Sequence, residues 1–326
     1  MRILVTGGAG FVGRHLISRL LLEPNTSIVC VDNLTSGTGG IHPSVWLSKE
    51  ILKSNIFEFI QQDCREYFRN QICDFDEIFH LAAIVGGRAV IEGNPILVAS
   101  DLAIDSDMWN FTATNLQTKV INFSSSAAYP VELQKSENWR TLRESDIDFD
   151  KMQFGKPDLS YGWAKLTSEF LGKLAFQSKG IKSVTYRPFS GYGYDQDLNY
   201  PFRAICSRAL SLQKNATTFE VWGSGNQLRD FIHIEDCITG ILQTKDKIFD
   251  GSPVNLGTGV GTSFKTLASM MLEELDLQGT NVIGLSDKPE GVFARVADTT
   301  FAESLGFTAG KTLVEGIRES LDLLRL

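Results

Sequence analysis

Ile3-Leu4-Val5-Thr6-Gly7-Gly8-Ala9-Gly10-Phe11-Val12-Gly13 is the stretch on which the fold turns. Residues 3–5 form a short apolar run, glycines follow at once, and Leu16 and Leu20 then recur at helical spacing to about Glu23. Strand, glycine turn and helix in that order are the context that a dinucleotide fingerprint requires. Gly7 reads as the tight turn, Gly10 as the point where backbone approaches pyrophosphate, and Gly13 as the place of close helix–strand packing. The start of the helix, with Phe11 and Val12, would turn free N–H groups toward the phosphates. A second strand over 27–31 ends at Asp32, 19 residues after Gly13. A carboxylate there accepts hydrogen bonds from the adenosine ribose and repels a 2′-phosphate. No lysine or arginine follows closely in Asn33-Leu34-Thr35-Ser36-Gly37, so NAD is favoured over NADP.

The alternation continues. Residues 57–61, 76–80, 119–123 and 183–186 read as strands, and 95–115 as a long helix. Asp63-Cys64 follows the third strand, where Asp63 also reads as a helix N-cap. Leu81-Ala82-Ala83 are small enough for backbone to lie against a cofactor. Ile84-Val85-Gly86-Gly87-Arg88 puts a glycine pair beside that site. Residues 35–54 and 131–157 carry no sustained period and are expected to be loops. The pattern predicts an α/β fold, a doubly wound parallel sheet of Rossmann type, with a smaller C-terminal lobe. Residues 1–187 would form the dinucleotide domain and 188–326 mainly the substrate lobe.

Two features carry chemistry. The fifth strand opens into Ser124-Ser125-Ser126, hydroxyls at the carboxyl end of a central strand, where open α/β sheets bind ligands. Ser160-Tyr161-Gly162-Trp163-Ala164-Lys165 then starts a helix running to about Ser178. Tyrosine and lysine four apart share one helix face, so the ammonium is expected to lower the phenol pKa and make Tyr161 an acid/base.

The bulk numbers exclude other classes. With 326 residues, 43% apolar and 21% charged, the chain is ordinary for a globular protein with a sizeable core. A net charge of −8 argues against nucleic-acid binding, and no basic run suggests a membrane surface. Five cysteines without Cys-x-x-Cys spacing indicate neither a disulfide framework nor a zinc site. His233 has no ligand-spaced partner and reads as structural. The N-terminus lacks the pattern of a signal peptide, and the expected compartment is the cytoplasm.

These residues resemble the extended short-chain dehydrogenase/reductases, and within them the nucleotide-sugar epimerases and dehydratases. The likeness runs from Thr6–Gly13 through Tyr161-Gly162-Trp163-Ala164-Lys165 to Arg187-Pro188-Phe189-Ser190-Gly191-Tyr192-Gly193, Val221-Trp222-Gly223 and Arg229-Asp230-Phe231-Ile232-His233. Ala82-Ala83-Ile84-Val85-Gly86-Gly87 and Ser125-Ser126-Ala127-Ala128-Tyr129-Pro130 are most similar to the GDP-fucose synthase and GDP-mannose 3,5-epimerase branch. The resemblance implies catalytic roles for Ser125, Tyr161 and Lys165. It implies a cofactor set of Gly7, Gly10, Phe11, Val12, Asp32, Asn33, Asp63, Cys64, Leu81, Ala82, Ala83, Tyr161, Lys165 and Pro188. For the substrate it implies Val85, Gly86, Arg88, Ser126, Ser190, Asn199, Trp222, Arg229 and Arg295, with the two arginines on the diphosphate. No metal is implied.

Departures from that pattern narrow the chemistry. The 3,5-epimerase branch has a cysteine at the position of Ala127 and a histidine or lysine at that of Asn199, and a methyl and a carboxamide cannot take those acid/base roles. Dehydratases carry Asp-Glu after their catalytic threonine, where this chain has Ser126-Ala127, and decarboxylases a glutamate where Ala127 stands. Asp101 replaces an asparagine, without a physical account at the level of sequence. The expectation is an NAD-dependent nucleotide-sugar epimerase, most simply at C4, acting as a homodimer. The alternatives are a 4-keto-sugar reductase or a 3,5-epimerase/reductase of the GDP-fucose synthase type, and a non-catalytic NAD-binding regulatory protein.

Overall fold

The computed structural model describes residues 1–35, 39–84, 93–96 and 100–325. In order, the chain forms β1 (Arg2–Thr6), α1 (Phe11–Leu20), β2 (Ser27–Asp32), α2 (Lys49–Lys53), β3 (Phe57–Gln61), α3 (Cys64–Asn70), β4 (Glu77–His80), α4 (Asp101–Thr112), β5 (Lys119–Phe123), α5 (Leu159–Lys179) and β6 (Ser183–Pro188). It continues through β7 (Ser190–Tyr192), α6 (Pro201–Leu210), β8 (Thr218–Trp222), β9 (Leu228–His233), α7 (Ile234–Thr244), β10 (Asp250–Leu256) and β11 (Gly261–Ser263). The last elements are α8 (Phe264–Glu273), β12 (Asn281–Leu285), β13 (Ala294–Arg295), α9 (Thr300–Ser304) and α10 (Leu313–Arg325).

Two compact units result. One comprises Met1–Ala128, Pro157–Arg187 and Ile241–Val254; the other comprises Tyr129–Lys156, Pro188–Gly240 and Asn255–Leu326. The chain passes between units at 187/188, but residues 129–156 cluster with the second unit and 241–254 with the first.

In the first unit a seven-stranded sheet has the order β10-β6-β5-β4-β1-β2-β3. Pairings from β3 through β6 are parallel. The run β3-β2-β1-β4-β5-β6 is the doubly wound dinucleotide order, whose direction of winding reverses between β1 and β4. Both faces of the central strands are covered, so β4 and β5 are buried at every position, the polar Glu77, His80, Lys119 and Asn122 included. Val31, Phe68, Ile78, Met108, Val120 and Ala175 share one core cluster that joins β2, β4 and β5 to α3, α4 and α5. Apart from Ala175, each such side chain contributes roughly 1.5–3 kcal/mol on burial.

The second unit holds β11-β9-β13 with β7 also paired to β9, and a separate β12-β8 pair. Its core gathers Tyr192, Phe202, Phe231, Leu267 and Ile317. Asp230 on β9 is fully buried and accepts the amides of Thr258, Gly259 and Ala297 and the Thr258 hydroxyl, which pins the loop after β10.

Both expected loops differ from expectation. Within 35–54 lie a 3-10 turn at Pro43–Val45 and α2, started by Pro43 and by a Ser48 cap that accepts the Ile51 amide. These are one-turn signals, too short to register as periodicity. Within 131–157, Gln134, Leu142 and Ile147 are buried. Leu142 exchanges backbone hydrogen bonds with Val296 and Asp298, so the segment's order comes from distant strand-like partners rather than local repeats. Cys30, Cys64, Cys73, Cys206 and Cys237 are all buried and unpaired. No described helix is long and apolar enough to cross a membrane.

Candidate active site

The glycine loop closes over backbone. Gly7 has φ +68°, and a Cβ there would sit 2.6 Å from the Ala82 nitrogen, so the loop lies directly on Leu81-Ala82. Gly13 departs from its expected role: a Cβ on it would meet Gly8 Cα at 2.5 Å and the Gly7 carbonyl at 2.6 Å, so it serves the turn itself. Helix–strand packing falls instead to Gly8, whose Cβ would strike Cys30 on β2 and Ile17 on α1. Helix α1 starts at Phe11 and Val12 with no side-chain cap on Gly10 and no acidic residue in its first turn. An uncapped N-terminus facing a glycine turn suits a pyrophosphate.

Asp32 ends β2 with Oδ2 on the Ala9 amide at 3.0 Å and Oδ1 on the Leu34 amide at 2.8 Å. Burial raises its carboxyl, against those two hydrogen bonds. Arg14, buried on α1 and not singled out in the sequence, donates to the Ala9 and Gly39 carbonyls. A lone arginine on an otherwise apolar face was its only signal. Asn33 is exposed and caps its own turn by accepting from Thr35. Asp63 is the N-cap of α3, accepting the Arg65 amide and pairing with the Arg65 guanidinium, which holds its carboxyl below the usual range. Cys64 is buried as the first residue of α3. The loop, Asp32 and the Leu81-Ala82-Ala83 backbone fit a dinucleotide such as NAD.

Ser125, Tyr161 and Lys165 come together because α5 packs on the turn after β5. A Cβ at Gly162 would lie 2.4 Å from the Ala127 carbonyl, so only glycine permits that approach, and Asp158 donates its amide to the same carbonyl at 2.9 Å. Ser125 hydrogen-bonds the Tyr161 phenol, favouring phenolate, and its Oγ accepts the Ala127 amide at 3.1 Å. Lys165 Nζ stands 5.8 Å from the centre of the Tyr161 ring. The lysine is only 4% exposed. Burial alone would depress its pKa, but Tyr161, Asp105 and Asp101 outweigh that and raise it. The expected lowering of the phenol pKa is corrected: burial pushes Tyr161 up, with Asp101 adding to it, and Lys165 offsets only part.

Behind Lys165 lies a network the sequence reading missed. Thr6 Oγ1 meets His80 Nδ1 at 2.9 Å, and His80 Nε2 meets Asp105 Oδ1 at 3.1 Å, all buried. Asp101 and Asp105 are four residues apart on α4, a spacing that puts both on one face. That spacing was the available signal.

Of the substrate candidates, Val85, Gly86 and Arg88 lie outside the described residues. Ser126 is buried beside Ala127 in the turn after β5. The others belong to the second unit. Pro188 and Ser190 flank the entry to β7, and Asn199 is exposed with its amide on Asp197. Trp222 is 53% exposed, so it is not a core residue. Arg229 and Arg295 pair in register between β9 and β13. Arg229 donates to the Leu228 and Val292 carbonyls, and its guanidinium stands 5.8 Å from the Phe264 ring. Arg295 Nε donates to the buried Gln134 Oε1 at 2.8 Å, a contact that composition did not reveal. His233 packs edge-on against Tyr192, consistent with a structural role.

Comparison with known proteins gives the family. GDP-mannose 3,5-epimerase 1 of Oryza sativa subsp. indica is 29% identical over 98% of this chain and 80% of that one. A putative UDP-glucose 4-epimerase of Methanocaldococcus jannaschii is 29% identical over 99% and 98%. Among solved structures, UDP-glucuronic acid 4-epimerase from Bacillus cereus, in complex with UDP-glucuronic acid and NAD, is 25% identical over 100% and 99% of the two chains, with a TM-score of 0.80. The model of the NAD dependent epimerase/dehydratase family matches residues 3–257, and the chain belongs to that family of NAD-dependent enzymes.

Proposed function

We propose that the protein is a nucleotide-diphosphate-sugar 4-epimerase that keeps its cofactor through the cycle. The observation carrying this reading is the meeting of Ser125, Tyr161 and Lys165 on the unit that bears the glycine loop, next to a buried Ala127 that supplies no second acid or base. Bound NAD supplies reversible hydride acceptance. Tyr161, in the phenolate form that Lys165 and Ser125 favour against burial, takes the proton of the sugar's C4 hydroxyl, while Ser125 holds that oxygen. Lys165, charged, stabilises the phenolate and is placed to bind the nicotinamide ribose. Once the keto sugar has presented its other face, Tyr161 returns the proton to the same oxygen, so no net proton or electron is consumed. Arg229 and Arg295 bind the diphosphate.

The 3,5-epimerase reading, favoured by the likeness to the Oryza enzyme, asks for proton exchange at two carbons. Ala127 and Asn199 offer none. A net reductase would draw on NADPH, against which Asp32 stands. A homodimer is supported by Trp163, Phe170 and Leu174, exposed at helical spacing on α5, with Leu102 exposed on α4; a monomer by sedimentation would refute it. The cytoplasm remains the expected compartment.

The test is to denature the purified protein, identify released dinucleotide by mass spectrometry, and screen nucleotide sugars for 4-epimers. Retained NAD with epimer formation, and a Tyr161→Phe variant that keeps its NAD but no longer forms the epimer, support the reading. Empty protein that binds NADPH more tightly than NADH overturns it.

A further inference from the structure

Residues 286–293 carry the chain from β12, the partner of β8, to β13, a partner of β9. One side chain in that crossing fastens it to the turn between β8 and β9. Glu290 Oε2 accepts the Ser224 amide at 3.1 Å, and Oε1 accepts the Ser224 hydroxyl at 2.5 Å. The same hydroxyl accepts the Asn226 amide at 3.1 Å, which leaves its own proton for the carboxylate. Hydrogen bonds to a charged acceptor are the stronger kind. Gly223, at φ +67°, makes the room: a Cβ there would stand 2.9 Å from the Glu290 Cβ.

The residues just after Glu290 reach Arg229. The Val292 carbonyl accepts Arg229 Nη1 at 3.0 Å, and the Leu228 carbonyl accepts the same nitrogen at 2.7 Å. The Phe293 carbonyl accepts the Leu228 amide at 2.6 Å, and β13 begins at the next residue. Two carbonyls on one nitrogen of a rigid fork set the plane of the whole guanidinium. One of the two belongs to the crossing that Glu290 fastens.

We propose that Glu290 is a positioning residue for Arg229: by clasping Ser224 it holds the crossing on the β8–β9 turn, and through the Val292 carbonyl it sets the guanidinium plane that meets a nucleoside diphosphate. This rests on the reading of Arg229 as a diphosphate ligand. The carboxylate acts by placement. Its negative charge by itself opposes anion binding, so placement and charge predict opposite signs when it is removed.

The experiment measures binding of UDP and of GDP to the NAD-saturated full chain by isothermal titration calorimetry, following whichever the parent binds more tightly. Glu290→Ala is expected to weaken that binding roughly tenfold, and Glu290→Gln, whose carboxamide oxygen still accepts from Ser224, by about threefold or less. In an Arg229→Ala background Glu290→Ala should add less than about twofold, because its effect runs through Arg229. Unchanged or tighter binding in Glu290→Ala overturns the proposal. So does a loss that is undiminished in the Arg229→Ala background, which would mark a general loosening of this unit. Should Glu290→Ala fail to fold, Ser224→Ala, which removes the hydroxyl half of the clasp, decides by the same two comparisons, an unmoved affinity overturning the proposal. A parent that binds neither nucleotide removes the diphosphate reading and this inference with it. Diphosphate binding that weakens as expected in a protein without epimerase activity sustains the inference and sinks the epimerase reading alone.

Discussion

Arg295 stands in register with Arg229 across the parallel strands β13 and β9, so two guanidinium groups separated by much of the second unit's sequence occupy neighbouring ladder positions. Side chains at paired positions of a parallel ladder project from the same face. Such a pair matches the charge and planar geometry of a diphosphate. Replacing either with Ala should raise KM for the nucleotide sugar roughly 10- to 100-fold at nearly unchanged kcat, the signature of lost uniform binding. Steady-state kinetics checks this. A fall in kcat at constant KM would count against diphosphate binding. Gln134→Ala, which frees the Arg295 Nε, should raise KM less.

Asp32 holds the glycine loop and the start of the next loop through the Ala9 and Leu34 amides. Asp32→Ala removes the carboxylate expected to face the ribose and its repulsion of a 2′-phosphate. Affinity for NAD should fall about tenfold or more, and the preference over NADP should narrow. Fluorescence titration with both dinucleotides measures it; an unchanged ratio would place cofactor choice elsewhere.

Glu169 on α5 and Arg187 on β6 form a bidentate pair with side chains 2% and 1% exposed, and Ser124 donates to the same carboxylate. Glu169→Ala leaves the guanidinium buried without its charge partner and should cost roughly 3–5 kcal/mol. Replacing both members by Met should cost less than the single change. Urea midpoints at constant slope test both statements.

Asp101 also makes a stability prediction. Its carboxyl rises from 3.8 to about 6 on folding, so between those values the folded chain binds more protons than the unfolded chain. Stability contributed by this group therefore falls as pH rises through that window and stays low above it, by on the order of 3 kcal/mol. Asp101→Asn should melt higher than the parent at neutral pH, with the advantage vanishing below about pH 4. Thermal melts across pH check this. An advantage that persists unchanged in acid would mean the charge is not its cause.

Much of the fold and part of the candidate site were legible because they rest on local rules. The run from Ile3 to Gly13 encodes strand, turn and helix through apolar content and the dihedral freedom of Gly7. The spacing of Tyr161 and Lys165 puts both on one face of any helix. The strands β4 and β5 announce burial on both faces through the adjacent apolar pairs Ile78-Phe79 and Val120-Ile121, whose side chains point to opposite faces. Windows of one turn, such as Pro43–Val45, and pairings across long separations, such as Leu142 with Val296, escape that reading because neither leaves a period in the sequence.

The sequence by itself determined the doubly wound sheet, the dinucleotide loop, the carboxylate at Asp32 and the residues Ser125, Tyr161 and Lys165, since each follows from residue type at fixed local spacing. Only the tertiary structure decided that Arg229 and Arg295 are neighbours, that Gln134 holds the second of them, and that Asp101 and Asp105 bear on Lys165. It also reversed the net displacement of the Tyr161 phenol, for a physical reason. Desolvation and the fields of buried charges depend on everything packed around a group, and the carboxylates that oppose the phenolate, Asp101 and Asp105, come from α4 rather than from the helix that carries the tyrosine.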